Sequence, residues 1–223
     1  MALAIRHAGA AIELTPIAGL TVMQETDAHA MARIQGRTVG EMESRFAAGH
    51  RAWVAWLDGA AAAWGWVASR NASIGELNLA FDLPPGDLYL WNFVTSPAHR
   101  GRGIYPRLLD AIVRTESADG SARFWIAYAP ENHASAAGIR KAGFSIAAEL
   151  SFDPAGRPVV GGEFDGRAAA ARLLGVTEHT GGVAPCWRCV RAGHATACAA
   201  GSCSCDYQKA HACGGAGESP RPP

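Results

Sequence analysis

The chain has 223 residues, with 20 basic and 20 acidic side chains that give a formal net charge of zero. Since 49% of the residues are apolar, the chain can bury a sizeable core, which excludes a globally disordered protein. Zero net charge provides no general attraction to nucleic acid or to an anionic membrane. No apolar run approaches the ~18–20 residues of a membrane span, and the first residues do not form a secretion signal, so we expect a cytoplasmic location.

The first 165 residues alternate between predicted helices and strands. A helix is expected over residues 27–46, because Thr26 or Asp27 can cap its start and its apolar residues recur with a loose helical period. Further along, two short apolar runs flank Asp58-Gly59, and this arrangement predicts a β-hairpin.

Asp87–Thr95 is predicted to be a strand, because it is rich in aromatic and β-branched residues. From Gly103 onward the apolar residues follow a helical period, and Asp119-Gly120 ends this predicted helix. The remaining predicted elements are a strand at 123–128, a helix at 132–141, a strand at 144–152 and a last strand at 158–163.

The C-terminal part of the chain has a different composition. Residues 166–185 are predicted to form a helix and a linker, and residues 214–223 a disordered tail. Between them, residues 186–213 hold all six cysteines and almost no aliphatic side chains. Because this segment cannot build a hydrophobic core, we expect a bound metal to stabilise it.

A glycine- and arginine-rich turn connects the strand at 87–95 to the helix that follows it. Free backbone N–H groups at the start of a helix, together with the helix dipole, form an anion site. Gly101 and Gly103 would let a phosphate approach the backbone, and Arg100 and Arg102 would add positive charge. The turn has neither the P-loop lysine nor the full dinucleotide-binding fingerprint. An ordinary tight turn with solvated arginines is the alternative interpretation.

The turn resembles the pyrophosphate-binding loop of the GNAT superfamily of acyl-CoA-dependent N-acyltransferases, whose pattern is Arg/Gln-x-x-Gly-x-Gly/Ala. The chain matches this pattern at Arg100 and Gly103 and departs from it at Tyr105. A second family signature follows, and its matching residues are Asn132, Ser135, Lys141, Gly143 and Phe144. Ile139 stands where this signature has a tyrosine. The resemblance covers roughly residues 20–165.

The resemblance implies an α/β (α+β) fold for residues 1–165, with a mixed central sheet flanked by helices. Its two central parallel strands would splay apart and hold acyl-CoA, such as acetyl-CoA, between them. The strand backbone would pair with the pantetheine arm, and the amides of the turn would bind the pyrophosphate. The cofactor-binding residues that the resemblance implies are Phe93, Val94, Thr95, Arg100, Gly101, Arg102, Gly103, Ile104, Tyr105 and Asn132.

The implied activity is transfer of an acetyl or other short acyl group from acyl-CoA to a primary amine. The amine attacks the thioester directly, so that holding both in one cleft supplies much of the acceleration. A positioned acid or base adds about 10²–10⁴-fold. The acceptor would be a small-molecule amine or a protein amine, no membrane partner is expected, and a dimer is left open.

Three residues are candidates for proton transfer. The usual base of histone-type family members falls at Tyr89, Asp87 lies near the start of the same strand, and Tyr128 ends the next strand. Strand alternation predicts one shared face for Asp87, Tyr89, Trp91 and Phe93. A role as pocket walls is the alternative for both tyrosines. Ile139 cannot give the leaving thiolate the proton that the usual tyrosine would supply.

Two sets of cysteine and histidine residues predict zinc binding near the C-terminus. Cys-x2-Cys is the usual half of a tetrahedral zinc site, and the first set resembles a zinc knuckle that is one residue short. The expected ligands of one or two zinc ions are Cys186, Cys189, His194 and Cys198, and then Cys203, Cys205, His211 and Cys213. The spacings fit no common iron–sulfur pattern, and a disordered tail with reactive thiols is the alternative.

Two other functions stay open. Because Ile139 has no proton to donate, the chain could be a catalytically weak acyl-CoA-binding sensor that acts through its metal-binding tail. The knuckle-like tail could instead bind nucleic acid, although its sparse positive charge does not favour this function. The second possibility would give binding that weakens steeply as the salt concentration rises.

Overall fold

The computed structural model describes residues 1–10, 12–153 and 155–179. Its strands are β1 (Ala2–His7), β2 (Leu20–Glu25), β3 (Arg51–Leu57), β4 (Ala60–Ala68), β5 (Asn71–Ile74), β6 (Leu79–Asp82), β7 (Asp87–Thr95), β8 (Arg123–Tyr128), β9 (Ser145–Phe152), β10 (Pro158–Gly161) and β11 (Thr177–Glu178). Its helices are α1 (Ala28–Gln35), α2 (Val39–Ala47), α3 (Ile104–Ala118), α4 (His133–Lys141) and α5 (Arg167–Leu174).

Nine strands form one mixed sheet in the order β11-β10-β9-β1-β8-β7-β4-β3-β2, and β5 and β6 form a separate hairpin. Neighbouring strands of the large sheet are antiparallel except for the parallel pairs β7–β8 and β10–β11. The parallel pair β7–β8 lies near the centre of the sheet. This architecture is the mixed α/β fold that the resemblance implies.

Helices and the small hairpin cover both faces of the large sheet. On the face that we call the back face, α3 and α4 bury apolar side chains such as Leu108 and Ile139. On the opposite, front face, residues of α1 and α2 pack around Trp66, whereas α5 and the β5–β6 hairpin pack around Trp125. Two separate units therefore cover the front face, and both contact Trp91.

Most of the predicted elements between residues 52 and 152 are confirmed. β7 has the predicted bounds, and the β3–β4 hairpin turns at Asp58 and Gly59, whose φ angles of 51° and 82° suit a two-residue turn. The single helix predicted at 27–46 is wrong. Gly36, with a φ of 61°, ends α1, and Thr38 starts α2 through a reciprocal capping box with Glu41.

Five strands were not predicted: β1, β2, the two strands β5 and β6 of the separate hairpin, and β11. The residues of β1 are short of the β-branched and aromatic side chains that mark a strand locally. Pairing with β8 on one side and β9 on the other stabilises β1, and all its residues except His7 are buried. Long-range pairing thus forms this strand, and a local pattern does not reveal it.

The packed unit continues past residue 165. α5 buries Ala170, Leu173 and Leu174 on the front face, and β11 pairs with β10. The helix predicted within residues 166–185 is therefore part of the folded unit, whereas the predicted zinc-binding segment and the tail lie outside the described residues. Within the described part of the chain, no helix is long and apolar enough to cross a membrane.

Candidate active site

The two central parallel strands separate towards their carboxyl ends. Four residue pairs join β7 to β8, from Asp87 opposite Arg123 to Leu90 opposite Ile126. Beyond Leu90, β7 continues along β4, while β8 continues along β1. A gap consequently opens between the two strands, as the resemblance implies.

A β-bulge in β7 lies where the gap begins. Asn92 and Phe93 stand opposite the single Gly65 of β4, and Asn92 has a φ of 54°. The extra residue moves Phe93 to the back face, and a Cβ on Gly65 would overlap the Phe93 ring. Trp91 stays on the front face. The prediction that Phe93 shares a face with Trp91 is therefore wrong, because the bulge reverses the alternation.

A cavity of about 580 Å³ opens on the back face where β7 ends and α3 and α4 begin. Nine of the ten residues predicted to bind the cofactor line it: Phe93, Val94, Thr95, Arg100, Gly101, Gly103, Ile104, Tyr105 and Asn132. The tenth, Arg102, is exposed and is not among the lining residues. The structure therefore brings together residues from three separate elements that were predicted to act together.

The turn before α3 presents free backbone amides. The N–H groups of residues 101–105 donate no hydrogen bond to any residue that the structure describes. Gly101 and Gly103 have φ angles of 74° and 71°, which residues with a Cβ rarely adopt. Gly103, the N-cap residue of the 15-residue helix α3 that follows, has no side chain with which to cap it. Unsatisfied N–H groups at a helix start make an anion-binding site.

Two arginines hold the turn in its conformation. Arg107 donates to the carbonyl oxygen of Gly103 at 2.7 Å and also to that of Thr15, while Arg100 donates through Nε to the carbonyl oxygen of Thr95 at 3.3 Å. Arg107 was not predicted as a site residue. The sequence did contain a signal, because a residue four positions after Gly103 lies above it on the same face of the helix.

Three further polar side chains line the cavity and were not predicted to bind the cofactor: His99, Ser135 and Lys141. Ser135 and Lys141 belong to the second family signature, so the sequence did contain a signal for them. His99 lies beside Arg100 in a 3₁₀ turn, Pro97–His99. Its Nδ1 is buried and has no hydrogen-bond partner among the described residues.

The start of α4 borders the cavity on its other side. Asn132 caps this helix, because its side-chain oxygen accepts from the Ser135 N–H at 3.1 Å. The Tyr105 ring lies against Gly138, where a Cβ would overlap it, and the Tyr105 hydroxyl bonds to Ser135. Burial raises the pKa of Tyr105 to about 12. Gly138 thus makes room for the bulky residue at the position where the family usually has glycine or alanine.

Asp87 is held in an ion pair and is not a solvated base. Its side chain is 2% exposed and accepts from Arg123 Nε at 2.7 Å and from Trp125 Nε1 at 2.9 Å. It lies at the closed end of the β7–β8 pair, away from the residues that line the cavity. The interpretation of Asp87 as a base is therefore corrected to a residue that ties the two central strands together.

Neither candidate tyrosine is placed for proton transfer. Tyr89 lies in the front-face core, edge-on to Phe81 with 5.3 Å between the ring centroids, and burial raises its pKa above the usual value. Tyr128 is half-buried against the back-face core and is not among the lining residues, and burial raises its pKa also. Both positions fit a packing role better, because a phenol that resists ionisation is a poor base.

The described residues, 1–179 without 11 and 154, contain no group of three or more His, Cys, Asp or Glu side chains that could hold a metal ion. All eight predicted zinc ligands, between Cys186 and Cys213, lie outside this part of the chain. Zinc binding therefore stays a prediction from the sequence.

The family model described as "Acetyltransferase (GNAT) family" matches residues 20–144. Similar solved structures include the aminoglycoside N-acetyltransferase AAC(6')-Iy in complex with the bisubstrate analogue CoA-S-monomethyl-acetylneamine (20% identity, 56% of this chain and 90% of that chain, TM-score 0.45). Another is the ribosomal-protein-S18-alanine N-acetyltransferase from Escherichia coli (17% identity, 62% of this chain and 88% of that chain, TM-score 0.46). A putative GNAT acetyltransferase from Novosphingobium aromaticivorans is also similar (19% identity, 65% of this chain and 59% of that chain, TM-score 0.44). No curated protein matches the chain.

The matched segment covers more than half of the chain and includes both separating strands, the glycine-rich turn and α4. The fold and the site thus define an acyl-CoA-dependent transferase. The chain belongs to the acetyltransferase (GNAT) family and is an acetyltransferase enzyme.

Proposed function

We propose that the cavity binds acetyl-CoA or another short acyl-CoA, and that the enzyme transfers the acyl group to a primary amine in a ternary complex. One observation carries this proposal: the free amides of residues 101–105 lie at the start of α3, beside the gap between two parallel strands. The pyrophosphate of CoA would accept hydrogen bonds from these amides, and Arg100 would add positive charge.

The pantetheine arm would follow β7 beyond Leu90, where the strand edge that faces β8 is unpaired. Backbone groups of Phe93, Val94 and Thr95 would hydrogen-bond to its amides in the manner of an added strand. This arrangement brings the thioester towards the bulge. The N–H near Val94 would then stabilise the oxyanion that forms when the amine attacks the carbonyl carbon.

Because the residues predicted for proton transfer are engaged elsewhere, water would take the amine proton and supply a proton to the thiolate. Asp87 is committed to an ion pair, Tyr89 is enclosed in the core and Ile139 has no proton to give. The attacking amine would lose its proton to water, and the thiolate released when the C–S bond breaks would take one from water. Most of the acceleration would then come from holding amine and thioester together.

Replacing a glycine of the turn tests the phosphate site. In Gly103→Val and Gly101→Val, a side chain would occupy the space expected for the pyrophosphate. Loss of two hydrogen bonds to a charged group, each worth about 1.5 kcal/mol, should weaken CoA binding about 100-fold. The dissociation constant of CoA is measured by isothermal titration calorimetry, and thermal unfolding reports whether each variant is folded.

Gly120→Val is the matched control, because Gly120 also has a positive φ, of 96°, but lies beyond the far end of α3. This variant carries the same kind of backbone strain and should bind CoA as the unchanged protein does. If folded Gly101→Val and Gly103→Val bind CoA with unchanged affinity, the assignment of the turn is wrong.

The sensor remains the second candidate function, because none of the three residues predicted for proton transfer lines the cavity and Ile139 has no proton to donate. Thiol release from acetyl-CoA, measured against a mixed panel of amines, separates the two functions. Release that depends on an amine supports the transferase. CoA binding without release on any amine would support the sensor. The cytoplasmic location, a dimer and a zinc-bound tail stay predictions, and the tail is tested below.

A further inference from the structure

The gap between β7 and β8 also borders the front face, opposite the cavity. Trp91 is the first residue of β7 beyond the last pair with β8, and it is partly exposed. It lies where the α1–α2 unit meets the unit formed by α5 and the β5–β6 hairpin. We call this place the front seam. The proposed CoA site lies on the back face, so the front seam is the side of the gap that CoA would leave free.

A cation is held at the front seam. The guanidinium carbon of Arg45, on α2, lies 4.8 Å from the centroid of the Trp91 ring and 5.0 Å from that of Trp66. Arg45 Nη1 donates to Gln35 Oε1 at 3.2 Å. Asn92 of the bulge, with its side-chain oxygen turned towards the guanidinium, accepts hydrogen bonds from Arg45 Nη1 at 3.1 Å and Nη2 at 3.3 Å. These contacts fix the guanidinium beside the residues at which the gap begins.

No carboxylate forms a close ion pair with Arg45 within the part of the chain that the structure describes. Glu41, one helical turn earlier, bonds to Thr38, pairs with Arg37 and attracts Arg45 only from beyond ion-pair distance. Two other N–H donors of the seam, Gln35 Nε2 and Trp91 Nε1, are buried without an acceptor among the described residues. The seam therefore offers positive charge and spare donors, which suit a carboxylate.

We infer that the acceptor is a primary amine that also carries a carboxylate, as an α-amino acid does, and that Arg45 binds this carboxylate at the front seam. The inference rests on the proposed acyl transfer. The acceptor's nitrogen attacks the thioester carbon through the gap, the C–S bond breaks, the amine proton goes to water and the thiolate takes a proton from water. The planar guanidinium suits a carboxylate because its N–H groups form a fork.

A polyamine is disfavoured at the same place. A second positive charge beside Arg45 would meet repulsion that grows as water is excluded from the seam. The ring of His50 lies edge-on to Trp91 at 5.2 Å between centroids, and burial lowers its pKa below the usual value. The imidazole is consequently neutral near pH 7. It supplies no charge that would offset or reinforce that of Arg45.

Matched pairs of acceptors test the inference in steady-state kinetics. L-Phenylalanine and 2-phenylethylamine differ by the carboxylate alone, and spermidine provides a polyamine. We expect kcat/KM for L-phenylalanine to exceed that for either other amine by at least about 10-fold. Arg45→Gln should lower kcat/KM for L-phenylalanine by about 10- to 100-fold and leave that for 2-phenylethylamine nearly unchanged. Arg45→Lys keeps the positive charge but loses the forked pair of N–H donors, so its kcat/KM for L-phenylalanine should lie between those of the unchanged enzyme and Arg45→Gln.

Arg33→Gln is the matched control, because it removes one positive charge from the exposed surface of α1. It should preserve the preference for the carboxylate. Equal or better use of 2-phenylethylamine or spermidine by the unchanged enzyme would overturn the inference. An equal loss on both acceptors in folded Arg45→Gln would overturn it too.

A binding measurement decides the question without turnover. N-acetyl-L-phenylalanine and N-acetyl-2-phenylethylamine are titrated into the CoA-loaded protein by calorimetry. Tighter binding of the carboxylate, lost in Arg45→Gln, supports the inference. The absence of any preference, including no binding of either compound, overturns it. Failure of the proposed function has a different signature, because CoA itself would then not bind.

Discussion

At the residue scale, burial decides what the polar groups of β7 can do. Asp87 is held by two N–H donors at the closed end of the strand pair, so its carboxylate ties the two central strands together away from the cavity. Tyr89, two residues later, is enclosed on the front face. The residues that the sequence suggested as a source of a base are therefore structural.

Asp87→Asn should lower the free energy of unfolding by about 2 kcal/mol. Breaking a fully buried ion pair costs about 3–5 kcal/mol. The loss should be smaller here, because the Arg123 side chain is 37% exposed and solvent screens its charge. Urea unfolding measures the change, with Tyr89→Phe as a control expected to lose less than about 1 kcal/mol. If Asp87→Asn keeps its stability but loses turnover, Asp87 belongs to the chemistry after all.

The site residues differ in how far the sequence reveals them. Gly101 and Gly103 could be predicted, because the spacing of glycines and arginines before a helix is a local pattern. The partners of Asp87 could not, because Arg123 and Trp125 reach it from another strand. Arg45 at the front seam carried no local signal either. Its position depends on two tryptophans that only the folded sheet brings beside α2.

At the scale of elements, the shape of β7 depends on a glycine of its neighbour β4. Gly65 leaves room on the back face, and the Phe93 ring fills it. The bulge at Asn92 and this contact together separate the side chains of the two faces at the start of the gap. The bounds of β7 were predicted from composition. The bulge was not, because it requires knowledge of the opposing strand.

Gly65→Ala should destabilise the protein by about 1–3 kcal/mol, because the added Cβ overlaps the Phe93 ring and forces it to move. CoA affinity should fall as well, since Phe93 lines the cavity. Chemical unfolding and calorimetry provide the two measurements. Gly75→Ala, where a Cβ would meet nothing within 4 Å, should stay within about 0.5 kcal/mol of the unchanged protein.

Combining the substitution with a smaller ring neighbour checks its cause. Gly65→Ala with Phe93→Leu should cost less than the sum of the two single changes, because the smaller side chain relieves the overlap. Strict additivity of the two effects would mean that the overlap is not the source of the instability.

At the scale of the whole molecule, two late elements of the described chain complete the sheet edge and the cover of its front face. α5 closes the front face and β11 forms the edge strand next to β10. The cysteine-rich segment comes after these elements in the chain. Zinc binding by this segment could be predicted, because composition and ligand spacing are visible in a sequence. Where the segment lies relative to the enzyme could not be predicted, because no local pattern determines it.

The purified 223-residue protein should contain one or two equivalents of zinc, and a version that ends at residue 179 should contain none. The shortened protein should still bind CoA with unchanged affinity, because the cavity is built from residues before position 142. Elemental analysis and calorimetry measure the two quantities. If the 223-residue protein is free of metal and all six thiols can be titrated, the zinc prediction is wrong.

The reversal of alternation in β7 has a consequence for inhibitors. Phe93 and Trp91, two residues apart, project from opposite sides of one strand. A compound that links a CoA fragment covalently to an acceptor fragment would have to thread the sheet between the two strands, instead of lying along a single surface. Its linker would need to be thin at that crossing, whereas its ends could be bulky.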